Sequence, residues 1–127
     1  MKAPKNRRVF VVGYGAATPL GKTFEKTWAN AVQGKAGFRK VTRCKVQSLS
    51  DVVGEIPDWN PREFDFIDSK EAYNWNADFV ILTMAVCKEA LENSGLEINQ
   101  ETGPRTACLI GSALNGTDSY RIAMENY

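Results

Sequence analysis

Histidine is absent from all 127 residues, which removes the commonest general base and the commonest metal ligand. Cysteine is sparse. Cys44, Cys87 and Cys108 are odd in number and widely spaced, so they fit neither a disulfide framework nor a CxxC metal knuckle and read as reduced thiols. An excess of one charge sign is also lacking: Lys plus Arg is 16 against 15 for Asp plus Glu, a net charge of +1, so no long-range field points to nucleic acid or to an anionic membrane. No apolar run reaches the roughly 18 to 20 residues that a spanning helix needs. Residues 1–8 lead straight into a strand pattern with no signal-peptide core between. These absences lead us to expect a cytoplasmic protein with no membrane or nucleic-acid partner.

What is present is enough for one domain, since 43% of the residues are hydrophobic. Residues 8–15, a β-branched and aromatic run closed by glycines, predict a buried strand. Thr18-Pro19-Leu20-Gly21 is a turn, after which Thr23 is placed to cap a helix through Val32, with Phe24, Trp28, Ala31 and Val32 on one face and Gly34 closing it. A strand is expected over residues 52–56, followed by loop chemistry over 57–61. Residues 76–93 carry the strongest helical periodicity, through Phe79, Leu82, Thr83, Val86, Ala90 and Leu91, with Ser94-Gly95 as the stop. That helix is expected to be largely buried. Residues 105–112 predict a second core strand and 117–127 a further helix. The order is that of an α/β domain with part of a central sheet. Two such strands are too few for an independent sheet, which usually needs about three.

Gly13-Tyr14-Gly15-Ala16-Ala17-Thr18 follows the first expected strand and approximates the dinucleotide fingerprint G-x-G-x-x-G. Thr18 stands where the third glycine belongs, Pro19 interrupts the helix start, and no acidic residue ends a second strand about 20 residues on. Glycines turning the chain out of a buried strand are one reading, and a phosphate cradle is the other. Among the thiols, Cys87 falls within the long helix and Cys108 within a core strand, settings in which cysteine is a small hydrophobe. Cys44 lies between Arg43 and Lys45, which favours thiolate, but it has no histidine partner. No catalytic residue is assigned.

Residues 11–21 resemble the opening strand and turn of the β-ketoacyl synthases. Residues 27–37 are similar to that family's first helix and its exit, and 53–61 to its next element. Glu89-Ala90-Leu91-Glu92-Asn93-Ser94-Gly95-Leu96 and Cys108-Leu109-Ile110-Gly111-Ser112 follow in the same order and spacing. The resemblance implies a thiolase-like α/β fold of two similar halves. Residues 1–127 would form the first part of the N-terminal half only, an incomplete sheet with covering helices. It implies acyl transfer to a cysteine, decarboxylation of a malonyl thioester and carbon–carbon bond formation, in fatty-acid or polyketide synthesis. The family's nucleophilic cysteine and its two histidines lie beyond these residues, so no catalysis is expected from them alone. The implied partners are the acyl carrier protein and a second copy or complementary ketosynthase chain, with no cofactor and no metal.

Two departures from the family pattern bear on function. Over residues 69–79 the family's basic stretch ending in Met-Asp-Arg-Phe is missing, leaving Lys70 as the candidate contact for the acidic carrier protein. An exposed helix start with incidental charge explains Lys70 equally well. Over residues 111–116 the family commonly reads Gly-Ser-Gly-Ile-Gly-Gly. Leu114 takes the position that lines the acyl tunnel, with core packing as the alternative. A non-catalytic ketosynthase-like dimerisation subunit or scaffold is the second functional reading, and a nucleotide-binding module resting on Gly13 and Gly15 is a remote third.

Overall fold

The computed structural model describes residues 8–42, 50–64 and 78–113, together with Met124. Helix α1 spans Phe24–Val32, and a second helix, α2, spans Asp78–Ser94. Two short strands, β1 (Arg39–Lys40) and β2 (Val52–Val53), pair antiparallel with Arg39 opposite Val53 and Lys40 opposite Val52. Single 3-10 turns occupy Pro61–Glu63 and Gly103–Arg105.

Local chemistry explains both helices. Thr23, at φ −129° and ψ 160°, accepts the N–H of Lys26 through its hydroxyl, the geometry of an N-cap bonding the third helical residue. At the other end Gly34 adopts φ +69°. Its N–H reaches Ala31 O at 2.9 Å and the Lys35 N–H reaches Asn30 O at 3.0 Å, the paired bonds of a Schellman motif. The expected Gly34 closure is therefore present. Helix α2 also ends at a left-handed glycine, Gly95 at φ +65°, but here the Ser94 hydroxyl stands in for the second backbone bond, accepting the Leu96 N–H and donating to Leu91 O.

The turn before α1 is held as a unit. Thr18 and Gly21 exchange backbone hydrogen bonds of 2.8 and 3.0 Å. The Leu20 N–H donates to the Thr18 hydroxyl, and the Thr27 hydroxyl donates to Gly21 O. Thr27 has only one proton to give, so the 3.0 Å Thr18–Thr27 contact is donated by Thr18. Asn30 Nδ2 and Arg39 Nη2 donate to the carbonyls of Leu20 and Pro19, fastening the turn to α1 and β1.

The expected strands over residues 8–15 and 105–112 carry no ladder pairing among the described residues, and the strand over 52–56 shortens to Val52–Val53. Arg105 belongs instead to the second 3-10 turn. A strand exists only with a neighbour that accepts its backbone hydrogen bonds. Without one, the apolar side chains stand in water: Val9 is 91% and Leu109 92% exposed. The expectation of a largely buried α2 is likewise corrected, because Ile81 is the one buried hydrophobic side chain among the described residues. Its flanking apolar residues, including Leu82 and Val86, are half-buried.

Candidate functional site

The side chain that ties the described residues together is Glu89, on the face of α2 that meets the segment after residue 12. Its Oε2 accepts the Ala16 N–H at 2.8 Å, and its Oε1 accepts the Phe24 N–H at 2.8 Å. Phe24 is the first residue of α1, so its N–H has no partner within the helix, and a carboxylate there also complements the positive end of the helix dipole. One turn further along α2, Asn93 Nδ2 donates to Tyr14 O at 2.9 Å. The interval from Tyr14 to Phe24 is thus held by two α2 side chains four positions apart.

Gly13 and Gly15 belong to the same contact. A β-carbon at Gly13 would collide with the Ala90 carbonyl oxygen, and one at Gly15 with that of Val86. The glycines let the backbone lie directly on α2, a close approach that no other residue permits. This decides between the two readings of the glycine motif. A phosphate cradle needs free backbone N–H groups in a field that attracts anions. Here the Ala16 and Phe24 N–H groups are both taken by a carboxylate, whose charge opposes a phosphate.

Beside this contact lies a groove of about 560 Å³ between α1 and α2. Tyr14, Phe24 and Trp28 form an aromatic row along it, with ring centroids 4.3 Å apart for Tyr14–Phe24 and 6.3 Å for Phe24–Trp28. Phe24 and Trp28 are one helical turn apart, which puts them on a single face of α1. The opposite wall is the Ala85, Lys88, Glu89 and Glu92 face of α2. Lys22 and Glu63 line the groove as well, their ammonium and carboxylate joined through both oxygens at 2.9 Å. The acids and bases of the groove are fixed mainly to one another or to backbone.

Lys70 and Leu114, the candidate docking and tunnel residues, lie outside the described residues, as do Cys44 and all but Met124 of the helix expected over 117–127. Cys87 and Cys108, expected as buried hydrophobes, are both exposed among the described residues. Cys87 sits on the outer face of α2, and Cys108 on the segment that lacks ladder partners. Among the described residues no group of three His, Cys, Asp or Glu side chains could hold a metal ion, and no helix is long and apolar enough to cross a membrane. The role of Glu89 was not evident from the periodicity. The available signal was an acid set between Val86 and Ala90 on the otherwise apolar face of a helix, which requires a polar partner.

Comparison with known proteins agrees with the order of the motifs. The family model for the β-ketoacyl synthase N-terminal domain matches residues 6–127. The 3-oxoacyl-[acyl-carrier-protein] synthase 2 of Staphylococcus aureus (strain COL) is 34% identical over 120 residues, which is 94% of this chain and 28% of that protein. The protein of the same name from Coxiella burnetii is 33% identical over 113 residues, 88% of this chain and 27% of its own length. The chain therefore spans little more than a quarter of the relatives it matches. With a match to the model of its N-terminal domain over residues 6–127, the chain belongs to the β-ketoacyl synthase family.

Proposed function

We propose that residues 1–127 form the opening part of a 3-oxoacyl-[acyl-carrier-protein] synthase of fatty-acid synthesis, within a thiolase-like fold whose sheet is completed by further sequence. The observation that carries this reading is the family match over residues 6–127, together with relatives of that name at 34% and 33% identity. In the reaction, a cysteine thiolate attacks an acyl thioester and releases the carrier thiol. Loss of CO2 from a malonyl thioester leaves a carbanion equivalent, which attacks the acyl-enzyme, forming a carbon–carbon bond and freeing the cysteine. The nucleophile and its histidines would come from the rest of the protein. The described residues contribute scaffold: Glu89, Asn93 and the two glycines fix the turn and α1 against α2.

On this reading Lys70 contacts the acyl carrier protein and Leu114 lines the acyl tunnel. The working protein is a homodimer, or pairs with a complementary ketosynthase chain, in the cytoplasm. A γ-branched side chain at residue 114 keeps the tunnel wall apolar while changing its shape. The test is condensation by the full-length protein with acyl and malonyl carrier-protein thioesters. Product formation, a raised KM for the carrier protein in Lys70→Glu, and a changed chain-length profile in Leu114→Phe are the expected results. A full-length protein that binds a second ketosynthase chain but forms no product would replace this reading with that of a scaffold subunit.

A further inference from the structure

We draw no further inference here: the strongest candidate, the basic cleft lined by Lys22, Lys26 and Arg39 beside Asp58, where the buried Arg39 Nε has no hydrogen-bond partner among the described residues, carries nothing because the chain spans little more than a quarter of the relatives it matches and nothing in the structure shows what covers the cleft.

Discussion

The Glu89 carboxylate accepts the Phe24 N–H at 2.8 Å across 65 positions of sequence. With its second oxygen on Ala16 N, the same side chain holds both the start of α1 and the turn that precedes it. Such a bridge sets the distance and the angle between two elements that share few other contacts. Asn93 on Tyr14 O and the close approach of Gly13 and Gly15 fix the same interval from either side.

Replacing Glu89 with glutamine should therefore destabilise the protein. The amide keeps one acceptor oxygen but turns an NH2 group toward the other backbone N–H, so one charge-assisted hydrogen bond is lost and one donor is left facing a donor. A loss of about 1.5–3 kcal/mol is expected, the range for hydrogen bonds to charged groups. Glu92→Gln removes only a 3.9 Å surface pair with Lys88 and should stay within about 0.5 kcal/mol of the parent. Thermal melts of the full-length variants compare the two. Equal effects would mean that Glu89 is not the bridge described.

Gly15 and Gly34 are needed for different reasons, and alanine separates them. At Gly15 a methyl group meets the Val86 carbonyl, so α2 and the turn must move apart, at about 1–3 kcal/mol for overpacking. At Gly34 nothing lies within 4 Å of an added β-carbon, but φ is +69°, and an L-residue there costs about 1–2 kcal/mol. Gly15→Ala should also raise amide exchange at Ala16 and Phe24, which Gly34→Ala should leave unchanged. Hydrogen-exchange mass spectrometry reads the difference, and uniform protection in Gly15→Ala would contradict the close-approach account.

What was legible in the sequence was what is local. Thr23 and Gly34 bound α1 through hydrogen bonds within three to five residues, so residue type and spacing suffice to place both ends. Helix α2 is described from Asp78, residues 76 and 77 lying outside the described residues, and it stops at Ser94, one position past the expected end. The strands over 8–15 and 105–112 rest on apolar runs, but a strand is defined by its neighbour, and none is supplied among the described residues. Glu89 was hidden for a related reason. Its partners lie 73 and 65 positions away, and no period along the chain reports them. The family motifs recovered the family because they record long-range packing that residue patterns alone do not.

NAD(H) and ATP should not bind appreciably. The two backbone N–H groups best placed to hold a phosphate after the glycine motif already donate to Glu89, and displacing that carboxylate would also release the start of α1. Calorimetric titration of the full-length protein with each nucleotide is expected to give no saturable heat. Micromolar binding abolished by Gly15→Ala would restore the cradle reading.

The isolated 127-residue chain should neither catalyse condensation nor behave as a monomer, and both outcomes follow from what its residues lack. With no histidine in the chain, the described thiols of Cys87 and Cys108 have no imidazole to act as their base. Assembly is set by the apolar surface. Val9, Phe10, Val11 and Val12 are 91, 69, 88 and 58% exposed, and Leu109 and Ile110 are 92 and 62% exposed, so two apolar stretches face water with no ladder pairing among the described residues. Burying such surface yields about 25 cal/mol for each Å² removed from water, and open backbone invites a strand from another molecule. Either copies of the chain will associate through these stretches, or the chain will need another polypeptide that covers them. Sedimentation velocity at micromolar concentration should show oligomers or aggregate, and substituting Val9 and Val11 with lysine should shift the distribution toward monomer. A single monomeric species with a cooperative melt would show instead that the chain closes a core of its own, and the reading of residues 1–127 as part of a larger sheet would fall.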